Sequence, residues 1–414
     1  MRTLTGILLL TTTFLVAQER FEVAGWVDSF DFAQAKVNGK PYYDIETTEG
    51  SLRIMAHVQE TGANTILWRN CGGATMRYGS KEESHHGDAP KDKRRFPDNR
   101  EIYGWLRLGD MQPDALRYVF GVCRDRQLRA GVHWPFEENH WGSWTYGGWN
   151  FEHPQYWVRD AGGKPWCGRS SIAYPEVMAH KLRLLDELIE RGMDTLFIDT
   201  WRSGAWGPGW EHVPPVVDAW KAKTGKEAPH NPRDLAWCQH VATYNTAFFK
   251  AVRERLDASG RKIRFYVGVE RPDPAKVDDT PMLSRGVDWR ELVKEGIIDT
   301  LVINIAIWNS KKPFESTREY YQAMRQAVGP KCRLLCPVRA YDYSGGGIPT
   351  YAKASKLKRV EIATRLTRLA WETGANGISL ECVDHGNYDS ATRKAMFGLV
   401  NGECRLVRAA GEVE

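Results

Sequence analysis

The segment Asp194-Thr-Leu-Phe-Ile-Asp199 recurs further along the chain as Asp299-Thr-Leu-Val-Ile-Asn304. Looser copies occur as Asn64-Thr-Ile-Leu-Trp-Arg69 and Asn376-Gly-Ile-Ser-Leu-Glu381. A short apolar run that closes on a polar residue predicts a buried strand that leaves the core at its last residue. The four copies therefore predict four strands in one common register.

Strand patterns and helix patterns alternate from Phe21 to Val400, which favours βα units and a parallel sheet. Eight strands are predicted, and eight is the number at which such a sheet closes on itself. The predicted fold class is α/β, a single (β/α)8 TIM barrel over residues 19–408 with long loops at its C-terminal face. The predicted strands are 23–27, 64–69, 129–134, 195–199, 263–270, 300–304, 333–338 and 377–381.

The last residues of the four copies are expected to form a ring, because side chains from alternate strands of such a barrel share a layer. Among the other strands, Glu270 ends the fifth and Arg339 follows the seventh. Buried polar groups are costly unless they are paired or used, so this end of the barrel is either a functional site or a plug of arginine–carboxylate pairs. The ring consists of Arg69, Asp199, Asn304 and Glu381.

Asp199 and Glu270 end two strands that are neighbours in the predicted barrel. Two such carboxylates are what hydrolysis of a glycosidic bond requires. We expect Asp199 to attack the anomeric carbon and Glu270 to protonate the leaving oxygen, and a gap of about 5 Å between them predicts retention of configuration. In an alternative arrangement, Glu381 supplies one of the pair across a wider gap, which predicts inversion.

A carbohydrate-binding barrel that has no catalytic activity is the alternative from another functional class. A sugar isomerase or lyase is less favoured, because a metal or a lysine at a strand end would be expected and no predicted strand ends in Lys. The chain has no CxxC pair and no HExxH, and the adjacent His85 and His86 cannot both reach one ion in the usual geometry. No cofactor and no metal are expected.

Tryptophan is abundant, with 17 among 414 residues, and many occur in the long loops that mark the working face of a barrel. An indole face can stack on a sugar ring, but Trp141, Trp144, Trp149, Trp157 and Trp166 can equally fasten a loop to the barrel. Together with Arg69, Asn304, Arg339 and Glu381, the expected substrate-binding residues are Trp26, Asp28, Trp68, His133, Trp134, Trp201, Arg202 and Asp342.

Residues 1–18 have a charged start, an apolar stretch and a small residue at Ala17, which is typical of a signal peptide. We therefore expect export to the periplasm or the extracellular space. No later run of about twenty apolar residues predicts a membrane span, and residues 409–414 form a polar tail. The eight cysteines could pair after export, but most are expected to be buried free thiols.

The net charge is +5, and the basic excess is most visible in Lys91-Asp-Lys-Arg-Arg95. This segment is either a solvated loop or a basic region that attracts an anionic polysaccharide. Nucleic acid is not expected, because no helix or strand carries a basic stripe interleaved with aromatic residues. The expected partner is a carbohydrate, and an anionic polysaccharide is one candidate.

Three segments carry a family resemblance: Pro154-Gln-Tyr-Trp-Val-Arg-Asp-Ala-Gly-Gly-Lys-Pro165, Tyr174-Pro-Glu-Val177, and 192–199. They resemble barrel glycosidases of the glycosyl hydrolase-like 10 family and their α-amylase-like and α-galactosidase-like relatives. The resemblance is strongest over residues 130–205, and it implies that Asp199 is the nucleophile and Glu270 the proton donor.

The chain departs from the α-amylase pattern at two places. Phe197 stands two residues before the predicted nucleophile, where that pattern has Arg. After the seventh strand, Arg339 and Asp342 stand in place of a His-Asp pair.

Overall fold

Eight parallel strands form a closed barrel in which each strand pairs with the next along the chain and the last pairs with the first. The computed structural model describes residues 19–27, 36–37, 40–41, 48–72, 75–76, 78–83, 115–135, 148–200, 207–276, 279–304, 310–339, 348–381 and 388–407. The predicted (β/α)8 fold is confirmed, and each predicted strand end lies within one residue of the observed end. The strands are β1 Glu22–Val27, β2 Thr65–Arg69, β3 Arg129–Pro135, β4 Thr195–Asp199, β5 Arg264–Glu270, β6 Thr300–Asn304, β7 Arg333–Arg339 and β8 Gly377–Glu381.

Helices lie between the strands and cover the outside of the barrel. The main ones are α1 Thr48–Gln59, α2 Ala115–Asp125, α3 Pro175–Arg191, α4 Leu235–Ala258, α5 Trp289–Lys294, α6 Pro313–Val328, α7 Arg359–Glu372 and α8 Ser390–Asn401. Shorter helices are Gly148–Glu152, Pro214–Thr224, Thr280–Leu283 and Ile348–Ser355. Small hairpins pair Lys36–Val37 with Lys40–Pro41, Cys71–Gly72 with Thr75–Met76, and Trp157–Arg159 with Pro165–Ser170.

Helix α3 illustrates how the local sequence sets the element that precedes β4. Pro175 occupies the first helical position, where a missing N–H costs nothing. Gly192 adopts a left-handed φ of 95° directly after the helix and ends it. The face that carries Val177, Leu184 and Leu188 is buried in the core between the helices and the strands. The chain therefore turns back into the barrel within a few residues.

The inside of the barrel is filled by an apolar layer between two polar layers. Gly131 on β3 allows the apolar layer to close, because a Cβ atom there would lie 2.6 Å from Leu67 Cδ2. The polar layer above it lies at the carboxyl ends of the strands, where the candidate site is expected. The apolar layer consists of Ala24, Trp26, Leu67, Phe197, Tyr266, Val302 and Leu335.

The lower polar layer is organised around Glu22, whose side chain is 3% exposed. Its carboxylate contacts Arg333 at 2.8 Å and Arg264 at 3.1 Å, and accepts hydrogen bonds from Tyr266 and Thr65. Burial alone would raise the pKa of Glu22, but the guanidinium charges and the two hydroxyl groups outweigh it and hold the pKa below its usual range. The first strand is thereby tied to the second, fifth and seventh.

Five cysteines are buried free thiols, as expected from the sequence: Cys123, Cys238, Cys332, Cys336 and Cys404. The side chains of Cys71, Cys167 and Cys382 lie outside the described residues, as do the predicted signal peptide 1–18 and the tail 409–414. Among the residues that are described, no helix combines the length and the apolar character that crossing a membrane requires.

Candidate active site at the carboxyl ends of the strands

The ring predicted from the repeats is present. All four residues are almost fully buried at the carboxyl end of the barrel interior, each at most 5% exposed. Their strands pair in a common parallel sheet, and alternation along each strand turns them to the same face as the apolar layer. His133 and Arg339, from the odd-numbered strands, are also buried at this end.

Asp199 is bound by His133. Asp199 Oδ2 lies 2.9 Å from His133 Nε2, and both side chains are 0% exposed. An ionised carboxylate has no proton to give, so the imidazole donates its Nε2–H. The ring of His133 stacks on Phe197 and also contacts Trp26, with both ring centroids 5.2 Å away. His133 therefore fixes the orientation of the Asp199 carboxylate.

Phe197 has a structural reason to depart from the α-amylase pattern. Its side chain lies in the apolar layer, directly below Asp199 on β4, and packs against Trp26 at a centroid distance of 4.7 Å. Asp199 receives a partner from the neighbouring strand, as His133.

Glu381 is paired with Arg339. Arg339 Nε lies 2.7 Å from Glu381 Oε2, and Arg339 Nη1 donates to Asn304 Oδ1 at 2.9 Å. Arg339 and Glu381 are direct neighbours in the pairing of β7 with β8. A buried carboxylate that is compensated in this way matches the expected plug of charge pairs for this half of the ring.

Glu270 lies further out than Asp199 and is less buried. In the pairing of β4 with β5, Asp199 is opposite Gly268, so Glu270 is two residues beyond it on the same inward face. The Glu270 side chain is 13% exposed and forms ion pairs with Arg285 and, at 3.3 Å, with Arg271. The two predicted catalytic carboxylates therefore belong to one mouth of the barrel, one covered and one reaching solvent.

Two of the predicted pocket residues are placed elsewhere. Trp68 and Trp134 are 4% and 2% exposed and pack in the core between the strands and the helices. The prediction that these two tryptophans line the pocket is wrong because side chains alternate along a strand, and the preceding residues, Leu67 and His133, face the interior. Trp26 does face the interior, but in the apolar layer below the ring. The predicted residues Asp28, Trp201, Arg202 and Asp342 lie outside the described residues.

The described tryptophans of the loop after β3 fasten that loop. Trp149 is sandwiched between His153 and His180, at centroid distances of 4.4 and 4.3 Å. Trp157 Nε1 donates to the carbonyl oxygen of Asn150, 2.7 Å away. These contacts are those of loop packing, while Trp141 and Trp144 lie outside the described residues.

A second buried cluster, which the sequence did not indicate, supports the same loop. Glu211 accepts hydrogen bonds from Arg169 at 2.7 Å and from Ser171 at 2.5 Å. Ser170 donates to Asn150 at 2.7 Å beside them. Since Arg169 and Glu211 are 42 positions apart, no local pattern signals their contact. Within the described ranges, no three His, Cys, Asp or Glu side chains converge as metal ligands.

No protein-family profile matches the chain, and no curated protein matches it. Solved structures of the same architecture do. The β-galactosidase of Rahnella sp. R3 matches with 11% identity and a TM-score of 0.57, over 94% of this chain and 57% of that one. The β-galactosidase of the psychrophilic Marinomonas ef1 matches with 10% identity and a TM-score of 0.55, over 92% and 59%.

A third solved structure is the cyclic α-maltosyl-(1→6)-maltose hydrolase of Arthrobacter globiformis in its ligand-free form. It matches with 11% identity and a TM-score of 0.52, over 92% of this chain and 82% of that one. All three neighbours are hydrolases of glycosides, and at these identities the likeness shows the barrel fold. The chain spans less than three fifths of the length of the two β-galactosidases.

Proposed function

We propose that the protein is a glycoside hydrolase that cleaves O-glycosidic bonds in an oligosaccharide or polysaccharide. The observation that carries the proposal is the position of Asp199 and Glu270 on adjacent strands, on the same inward face and at the same mouth of the barrel. The glycosidase names of the structural neighbours support it at the level of the fold, as does the resemblance to the glycosyl hydrolase-like 10 family.

In the proposed mechanism Asp199 attacks the anomeric carbon while Glu270 gives its proton to the leaving oxygen. Glu270 then takes a proton from a water molecule whose oxygen attacks the anomeric carbon, and the bond to Asp199 breaks, which gives net retention. His133 keeps one oxygen of Asp199 bound throughout, so the attacking carboxylate is held in one orientation.

Substrate binding has to change two features of the site, the burial of Asp199 and the ion pairs of Glu270. Asp199 is fully buried, so the sugar has to displace the groups that cover it. Glu270 is paired with Arg285 and Arg271, so its proton-donating form has to exchange these ion pairs for contacts with the substrate. The same two arginines suit a substrate that carries carboxylate or sulfate groups, and we include an anionic polysaccharide in the proposal.

The test is a screen of wild-type protein on neutral and acidic polysaccharides and on aryl glycosides, followed by variants on every substrate that is cleaved. Asp199→Asn and Glu270→Gln are expected to lower kcat/KM by about 10²–10⁴-fold. Asp194→Asn, at the opposite end of β4, is the matched control and is expected to keep wild-type activity. The proposal is wrong if both rim variants hydrolyse every responsive glycan as fast as the wild type.

A second candidate function is carbohydrate binding without hydrolysis. The complete burial of Asp199 and the pairing of Glu381 with Arg339 favour it, because a purely structural ring needs no access to solvent. Saturable binding of a glycan that is never cleaved would support this alternative, and cleavage with inversion that depends on Glu381 would support the inverting arrangement.

We further propose that residues 1–18 direct export and that the substrate is met outside the cytoplasm. The charged start and the apolar stretch support this. Amino-terminal sequencing of protein recovered from the periplasm or the medium tests it. A mature chain that begins near residue 19 is expected, and recovery of the intact chain from the cytoplasm alone would contradict the proposal.

A further inference from the structure

The amino-terminal end of the barrel, opposite Asp199, contains an open cavity of about 530 Å3. It is formed by residues that precede or begin the strands β1, β2, β3, β4, β5 and β7. The charged residues of its lining are five cationic and three anionic side chains, which leaves an excess of two positive charges: Arg20, Arg129, Lys262, Arg264 and Arg333 against Glu19, Glu22 and Asp194.

Two of the acids and two of the arginines neutralise one another. Arg264 lies 2.9 Å from Glu19 and 3.1 Å from Glu22. Arg333 lies 2.8 Å from Glu22 and also contacts Glu19. These four side chains form the structural part of the cavity, and they explain why charged groups are stable at this depth.

The other three cations are less closely paired with the acids of the lining. Arg129 Nη1 forms a long ion pair with Glu22 Oε2 at 3.9 Å and donates to Tyr266 Oη at 3.5 Å, and its side chain is 31% exposed. Arg20 donates to the neutral amide of Asn401 at 2.9 Å. Lys262 is exposed, and in the part of the chain that the structure describes no ion pair involves it. The acids of the lining therefore neutralise these three cations only in part.

The third acid of the lining does not compensate these cations. Asp194 pairs with Arg261 at 3.4 Å, and it accepts a hydrogen bond from the backbone N–H of Ala130 at 3.3 Å. Arg261 is not part of the cavity lining. The lining therefore keeps a net positive charge, which favours a negatively charged ligand.

We propose that this cavity binds a small dianionic oxyanion, with phosphate and sulfate as its simplest examples, between Arg20, Arg129 and Lys262. Arginine and lysine form short, charge-assisted hydrogen bonds with such oxygens. The site lies at the far end of the barrel from the proposed catalytic carboxylates, and it holds whether or not the protein hydrolyses glycosides.

The test is isothermal titration calorimetry of the full chain with inorganic phosphate, with sulfate and, at matched ionic strength, with acetate. Saturable binding of one dianion is expected, and weaker binding of acetate. Arg129→Gln is expected to weaken phosphate binding roughly tenfold, since a charge-assisted contact is lost, and Lys262→Gln roughly threefold, since its side chain is exposed.

The matched control is Lys223→Gln, which removes the same charge from an exposed position on the helix Pro214–Thr224 and is expected to bind phosphate as the wild type does. This comparison is needed because the loss of any cation lowers the positive charge of the whole protein and thereby weakens its attraction for anions in general. If Arg129→Gln does not fold, Lys262→Gln decides the test. Wild-type affinity in Lys262→Gln, equal weakening in Lys223→Gln, or no saturable binding would each overturn the proposal.

Discussion

His133 Nε2 lies 2.9 Å from Asp199 Oδ2, although the two residues are not paired in the sheet. In the register of β3 and β4, His133 is opposite Phe197 and Asp199 is opposite Pro135. The contact is therefore diagonal, and it links the upper polar layer to the apolar layer on which the imidazole stacks. Removing one partner of a pair that is shielded from water costs stability, because the other polar group loses a buried contact, whereas the intact pair contributes little net stability after desolvation.

Replacing His133 by Phe is expected to lower the free energy of unfolding by about 3 kcal/mol, because a buried carboxylate loses its donor. His133→Gln keeps an N–H donor, so its free energy of unfolding is expected to fall by less than that of His133→Phe. Urea unfolding of His133→Phe, Asp199→Asn and the double variant measures the coupling. A coupling of at least about 1 kcal/mol is expected for residues in contact, and additive losses would contradict the proposed link.

The stability that Glu22 confers is expected to depend on pH. Because its pKa is lower in the folded protein than the ordinary value of 4.5, the unfolded chain takes up the proton first as pH falls. The contribution of Glu22 to the free energy of unfolding is thus complete above pH 4.5 and is lost as the pH falls below that value. Glu22→Gln is expected to cost about 3 kcal/mol near neutral pH, because it removes the carboxylate charge that Arg264 and Arg333 share in the lower polar layer.

Urea unfolding at about pH 7 and about pH 3 tests this expectation, with the exposed Glu254→Gln on α4 as the control. The difference in the free energy of unfolding between the wild type and Glu22→Gln should be smaller at about pH 3 than at about pH 7, while Glu254→Gln should match the wild type at both pH values. If this difference were the same at both pH values, the stability lost in Glu22→Gln would come from packing and not from charge.

Arg339→Met is expected to destabilise the protein by about 3 kcal/mol, because it removes the guanidinium that pairs with the buried Glu381 carboxylate. Adding Glu381→Leu to that variant should restore much of the loss, because both charges are then absent. Thermal unfolding of the two single variants and the double variant provides the measurement. A double variant less stable than either single one would count against a simple charge pair.

The buried thiols are expected to be unreactive in the native protein. Burial raises the pKa of Cys123 and of Cys332 to about 12, so almost no thiolate forms near neutral pH. Alkylation with iodoacetamide at about pH 8, followed by peptide mapping, should label neither residue before unfolding and both after it. Rapid labelling of Cys123 in the native protein would contradict the burial described for α2.

If the protein hydrolyses glycosides through Asp199 and Glu270, the first product should keep the anomeric configuration of the substrate. Proton NMR of the reaction in its first minutes, before mutarotation, distinguishes retention from inversion. An inverted product would move the catalytic assignment to a more widely spaced pair that includes Glu381.

The strand ends were predictable because each apolar run stops at a polar residue, such as Asp199 or Asn304, and a buried strand leaves the barrel core at that residue. The placement of Trp68 and Trp134 was wrong for a reason that the sequence contains. Each lies one position out of phase with the repeats, so alternation turns it towards the helices. Being close to a strand end does not decide the face of a residue.

The lower polar layer also has a signal in the sequence. Glu22, Arg129, Arg264 and Arg333 are each the first residue of an odd-numbered strand, and alternate strands share a layer. The contact between His133 and Asp199 could not be predicted in the same way. It depends on the stagger between β3 and β4, which is set by the closure of the whole barrel.

Glu22 and Arg333 are in contact although they are 311 positions apart in the polypeptide. During synthesis the first strand therefore leaves the ribosome with a carboxylate whose main counter-charge has yet to be translated. A nascent chain that stops before β7 would have to bury that acid without this arginine or leave the cylinder open. The barrel is thus expected to close only after most of the chain has been synthesised, and truncated chains should be degraded as unfolded protein.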